Sequence, residues 1–218
     1  IKVWSARQQT ALGRDLVRGE LVKTMCGHSG AVADVALAAS SPGRLASVSQ
    51  DGAARYWDID QYEETRVLKG HTDAVLDANF SPSGLDLVTA SRDQCALVWN
   101  LQTDRMVHTL KEGHPYLASN AAFFPGNDRL ATSGADGTVR VWDLATGVEC
   151  LTLHGTGTAA AVAVSPSGKW ILSSSAAAEQ PDGAPVGDKA RYANLWDAQT
   201  GELATRLGEH RARVTALA

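Results

Sequence analysis

One pattern recurs through the chain and constrains the fold before any local reading begins. A Gly-His pair leads into an apolar run, an Asp-centred turn follows, and a second apolar run closes on Trp. It reads at Gly27-His28 with Asp51 and Tyr56-Trp57-Asp58, and at Gly70-His71 with Asp93 and Val98-Trp99-Asn100. A third copy is Gly113-His114 with Asp136 and Val141-Trp142-Asp143, and an altered fourth ends at Leu195-Trp196-Asp197. Trp57 and Trp99 are 42 residues apart, and Trp99 and Trp142 are 43 apart. A chain that repeats at such a period folds as an array of like units, each burying a face on its neighbour. The 218 residues therefore form one domain counted in units rather than in separate cores.

Each unit divides into short runs of strand composition bounded by Gly, Pro, Ser and Asp turns, and no long 3.6-residue period appears. Strands are predicted over 31–37, 44–49, 53–57 and 66–68, then 75–80, 86–90, 95–99 and 106–110. The third unit has 118–124, 130–133, 139–142 and 150–153. The innermost runs are small and apolar throughout, as strands covered on both faces should be. The expected class is all-β: a β-propeller of four-stranded antiparallel blades, at the roughly 40–45-residue period of such blades. Its parts are 1–25 (partial), 31–68, 74–110, 117–153, 158–207 and 213–218 (partial). Four blades are complete. The two fragments together lack one strand of a fifth, and closure leaves no bare edge, so the reading is a portion of a larger ring of about seven blades.

Charge and cysteine usage narrow the function classes. With 20 basic and 24 acidic residues the net charge is −4, which argues against nucleic acid or an anionic membrane as partner. No apolar run reaches the roughly 18 residues of a membrane span, and the first residues do not read as a secretory signal. Cys26, Cys95 and Cys150 have no metal-ligand spacing and read as buried, reduced thiols. A cytoplasmic setting follows, with no metal and no cofactor.

The Gly-His pair, the Asp turn and the terminal Trp-Asp together resemble the WD-repeat β-propeller family over essentially the whole chain. The alanine-rich, closely similar repeats resemble its bacterial members. The resemblance implies a hydrogen-bonded tetrad in each blade: His28, Ser47, Asp51 and Trp57; His71, Thr89, Asp93 and Trp99; His114, Thr132, Asp136 and Trp142. In the fourth blade His154-Gly155 inverts the order and Ala190 stands where an Asp is expected, which leaves Ser173 and Trp196. The residue types have their own logic: Asp fixes the imidazole tautomer, His bonds the hydroxyl, and the buried indole N–H finds an acceptor. Ser, His and Asp are also the residue types of a nucleophilic triad. A triad, however, occurs once and opens on a pocket, whereas this set recurs under a Trp.

Members of the family bind peptides or folded proteins on the narrow end of the ring. By resemblance that end carries Gln50, Arg92 and Ala135, which precede the turn Asp residues. It also carries Ala31, Ala33, Ala74, Leu76, Leu117, Ser119, Arg213 and Thr215 after the His positions. Arginine suits bidentate contact with carboxylate or phosphate, so the expected partner carries an acidic or phosphorylated segment. Between the second and third strands of the fourth blade, residues 176–189, including Asp182, form an insertion of turn composition beside that face. A second insertion, over 5–19, lies on the opposite face as a loop. The expected function is a non-enzymatic scaffold for protein–protein assembly, since no phosphate-binding loop or paired catalytic carboxylates appear. The alternative is the targeting propeller of a larger enzyme such as a bacterial serine/threonine protein kinase.

Overall fold

The computed structural model describes residues 1–4, 8–9, 15–16, 21–111, 114, 118–154, 161–174 and 191–210. They hold twenty strands, and no helix occurs among them. The chain opens with β1 (Lys2–Trp4), β2 (Gln8–Gln9), β3 (Asp15–Leu16) and β4 (Leu21–Thr24). The first four-stranded sheet comprises β5 (Val32–Leu37), β6 (Arg44–Ser49), β7 (Ala53–Asp58) and β8 (Glu63–Lys69). The second comprises β9 (Val75–Phe80), β10 (Asp86–Ser91), β11 (Ala96–Asn100) and β12 (Arg105–Leu110). The third has β13 (Ala118–Phe123), β14 (Arg129–Gly134), β15 (Val139–Asp143) and β16 (Glu149–Leu153). The fourth has β17 (Val162–Val164), β18 (Trp170–Ser174), β19 (Arg191–Asp197) and β20 (Leu203–His210).

Within each four-stranded sheet neighbours in sequence are neighbours in space and antiparallel. Short Gly- and Ser-containing turns make this possible, as in Ser81–Gly84, where the Gly84 N–H donates to the Ser81 carbonyl at 2.8 Å with Gly84 at φ 73°. β1 pairs with β4 in a two-stranded sheet. Residues 8–9 and 15–16 also pair, so the stretch read as a loop over 5–19 contains a small hairpin at its described positions.

The cores lie between sheets rather than within them. Val48, Ala54, Tyr56 and Leu68 of the first sheet pack with Val75, Leu87, Leu97 and Trp99 of the second. Val88, Ala90, Val98 and Leu110 pack in turn with Ala118, Ala121, Leu130 and Trp142 of the third. Val139, Val141 and Leu153 meet Ile171 and Trp196 of the fourth. The second strands are covered on both faces, which accounts for their unalternating apolar composition.

Two expectations require correction. β5 is an innermost strand by position, yet Val32, Val35 and Leu37 are exposed, because the β1–β4 sheet packs on Leu45 and Trp57 farther out and leaves those three side chains on an open cavity beside Ile1 and Val3. Cys26 and Cys150 are exposed and Cys95 is half-buried, and none is in a disulfide. Cys26 follows an outer strand and Cys150 sits on one, where a single face is covered.

Candidate functional site

Each of the first three sheets carries a hydrogen-bonded set linking the turn before the inner strand to the second strand, the following turn and the third strand. In the first, His28 Nδ1 lies 3.0 Å from Asp51 and His28 Nε2 lies 2.8 Å from Ser47 Oγ, while Trp57 Nε1–H donates to the same Oγ at 2.8 Å. In the second, His71 lies 2.8 Å from Asp93 and 2.7 Å from Thr89, and Trp99 donates to Thr89 at 3.0 Å. In the third, His114 lies 3.0 Å from Asp136 and 2.9 Å from Thr132, with Trp142 donating to Thr132 at 2.8 Å. In the fourth, Trp196 donates to Ser173 at 2.9 Å, while residues 155 and 190 lie outside the described residues.

The proton order in these sets follows from their burial. Burial lowers the pKa of His71 and His114 despite the opposing pull of Asp93 and Asp136, so both imidazoles are neutral at neutral pH. Burial alone would raise Asp51, but the backbone amide of Ser29, the His28 side chain and the Ala53 amide outweigh it and hold the pKa at about 2. Asp93 and Asp136 are lowered against the same desolvation. In the second and third sets the carboxylate therefore accepts from Nδ1–H, and Nε2 accepts from the hydroxyl, which itself accepts from the indole. Ser47, Thr89 and Thr132 are fully buried. Their oxygens cannot reach a substrate carbonyl, so these sets do not operate as nucleophilic triads.

The residues expected on the narrow end are brought together in part. The Gln50 N–H donates to the Ala31 carbonyl and the Arg92 N–H to the Ala74 carbonyl, both at 3.0 Å, so the residue before each turn Asp sits beside the start of the inner strand. Gln50 and Arg92 are exposed, as are Ala31 and Ala33, while Leu76, Ser119 and Ala135 are half-buried. Ala74 is buried and presents nothing to a partner. Leu117, Asp182, Arg213, Thr215 and the 176–189 insertion lie outside the described residues.

The structure adds a polar ladder along the inner strands. Asp34 accepts from the Ala78 N–H at 3.2 Å, and Asp77 accepts from the Ala121 N–H at 3.0 Å and from Asn120 Nδ2 at 2.5 Å. Asn120 Oδ1 then accepts from the Val162 N–H at 3.0 Å, and Asn79 Nδ2 donates to the Ala121 carbonyl at 2.8 Å. One side chain per sheet thus holds a backbone amide of the next. Burial pushes the Asp77 carboxyl up to about 7, and the Asp34 charge adds to this, while bonds from Ala121, Asn120 and Asn79 pull the other way. The ladder borders an open cavity of about 560 Å³. Its signal in the sequence is the recurrence of Asp34, Asp77 and Asn120 at 43-residue intervals.

Four-stranded antiparallel sheets in sequence, knitted by a repeated His, Ser or Thr, Asp and Trp network, define a blade-repeat protein. The family described as "WD domain, G-beta repeat" (WD40) matches residues 19–58, 62–100 and 105–143, more than half of the chain. This chain belongs to the WD-repeat family. It is similar to the nuclear distribution protein PAC1 of Arthroderma otae, 36% identical over 124 residues that make up 52% of this chain and 24% of that protein. It is similar also to the nuclear distribution protein nudF 1 of Talaromyces marneffei, 34% identical over 116 residues, 52% of this chain and 23% of that protein. The nuclear distribution protein nudF of Aspergillus flavus is 36% identical over 105 residues, 47% of this chain and 21% of that protein. The match thus spans about a quarter of the length of these relatives.

Proposed function

We infer that this chain is a non-catalytic scaffold that binds a protein or peptide partner on the narrow end of its blades, with Arg92 engaging an acidic or phosphorylated segment. The observation that carries the reading is the state of Arg92. Its side chain is exposed and, among the described residues, has no carboxylate partner. By contrast Arg44, Arg55, Arg66, Arg129 and Arg140 each lie against an Asp or Glu. An unengaged guanidinium on a rigid strand-to-turn corner is available for bidentate recognition at little ordering cost. Family membership supports the scaffold reading, and the burial of the tetrad hydroxyls supports the absence of catalysis at those sets. Exposed free thiols at Cys26 and Cys150 go with a reducing, cytoplasmic setting.

The test is titration of acidic and phosphoserine peptide arrays against the chain and its Arg92→Ala variant. Affinity for the best binder is expected to fall about tenfold or more, and an unchanged affinity would remove Arg92 from the site. A second reading, a bacterial-type propeller that targets an attached serine/threonine kinase, draws support from the alanine-rich repeats. A kinase glycine loop and catalytic-loop motif in the flanking gene would select it.

A further inference from the structure

The second sheet departs from the first and third at three positions, and all three departures line one groove; the fourth sheet has Asn194 and Leu203 at the last two of these positions. The turn after Asp51 is completed by Gly52 at φ 79° and the turn after Asp136 by Gly137 at φ 78°, whereas the corresponding residue after Asp93 is Gln94 at φ 72°. Glycine adopts that left-handed backbone without penalty, and a residue with a Cβ does not. The second and third departures are a matched pair. Strand register places Arg55, Leu97 and Arg140 at one equivalent position, two residues before each Trp. The same register places Glu64, Met106 and Glu149 opposite Trp57, Trp99 and Trp142. In the first sheet Arg55 pairs with Glu64, and in the third Arg140 pairs with Glu149 at 2.6 Å. In the second sheet an aliphatic side chain and a thioether replace the ion pair.

The consequence is an apolar floor where the first and third sheets are charged. Gln94, Leu97, Met106, Thr109 and Lys111 line a groove of about 470 Å³ beside Gly70. Leu97 is buried at its base and Met106 is 47% exposed. The one carboxylate on its wall, Asp93, already accepts from His71, the Thr72 N–H and the Cys95 N–H. Lys111 is exposed and, among the described residues, has no ion-pair partner. An occupant therefore meets an apolar seat, a cation at one end and a primary amide held in place at a conformational cost. Strained backbone positions cluster at binding and catalytic sites, and Gln94 joins this strain to a groove.

We propose that this groove is a second partner site, separate from Arg92, which takes an extended peptide. An aliphatic side chain of that peptide seats on Leu97 and Met106, and a neighbouring carboxylate pairs with Lys111. The Gln94 amide bonds the peptide backbone, and the desolvated aliphatic anchor supplies the main part of the affinity, as buried anchors do at interfaces. Charge complementarity selects an acidic flank at the Lys111 end, since the Lys111 side chain has no ion-pair partner among the described residues, whereas the Asp93 carboxylate, though ionised, is turned to its three donors.

Random dodecapeptides displayed on phage, selected on the intact chain, test this directly. Enriched peptides are expected to carry a Leu, Ile, Val or Met within two positions of an Asp or Glu. They should bind the Leu97→Arg/Met106→Glu double variant about tenfold more weakly or worse. That variant reinstates the ion pair of the first and third sheets, so it is expected to keep the fold, which a thermal melt verifies. Gln94→Gly, which reinstates the turn of those sheets, should weaken binding without lowering the melting temperature. If the double variant does not fold, the methyl signal of Met106 in the wild-type chain decides. A shift of that signal on peptide addition supports the site, and an unmoved signal overturns it. The chain has two methionines and Met25 is buried, so the signals separate. Enriched peptides that lose nothing on the double variant, or that depend on Arg92 alone, would overturn this site and leave the Arg92 reading standing. Failure of Arg92→Ala to matter would leave this site untouched.

Discussion

Ser47 shows how much one hydroxyl holds in this chain. Its Oγ accepts from the Trp57 indole and is the partner of His28 Nε2, at a fully buried point. Ser47→Ala strands a donor and an acceptor together, each costing about 1–3 kcal/mol. A loss of about 2–4 kcal/mol in urea denaturation is expected, and a loss below about 0.5 kcal/mol would mean that the tetrad is ornament. The members of each tetrad are legible in sequence, because they recur at matching offsets in three units. What their hydrogen bonds show beyond the spacing is the direction of each proton, which depends on the burial of His71 and His114 and has no sequence signal.

The inner strands carry interactions that no single strand displays. Asp77 accepts from Asn79 on its own strand, but its bonds to Asn120 and the Ala121 amide reach β13 on a different sheet. Its folded pKa of about 7 exceeds the ordinary carboxylate value of 3.8. The folded state therefore holds the proton to higher pH than the unfolded state does. Stability from this group is fully present below about 4, declines as pH rises to about 7, and is level beyond. The neutral His71 and His114 act in the opposite sense below about 6.5, so the isolating measurement is a difference between variants. Asp77→Asn relative to wild type should gain stability from pH 5 to pH 8, by on the order of 2–4 kcal/mol. A difference independent of pH would show that Asp77 is not the buried titrating group. The 43-residue recurrence of Asp34, Asp77 and Asn120 was available to a reader of the sequence. Its meaning was not, because an acidic residue in an inner strand reads equally well as a solvent-facing one.

At the scale of the whole molecule the cores between sheets make each blade depend on its neighbours. Leu130, fully buried, belongs to the third sheet but packs with residues of the second. Leu130→Ala should cost about 2–5 kcal/mol. It should also raise amide hydrogen exchange in the second and third sheets more than in the first, since nearest-neighbour interfaces carry repeat stability. Exchange rising equally everywhere would indicate one indivisible unit instead. The repeat, the all-β class and the turn chemistry were legible in the residues alone, because periodicity, glycine placement and strand composition act locally and recur. Which side chains meet across sheets was set by the packing of the folded chain. It joined Asp77 to Asn120, left Val32, Val35 and Leu37 of β5 exposed, and gathered Gln94, Leu97 and Met106 around one groove. A period sets the interval between units, while contacts across it depend on how those units pack.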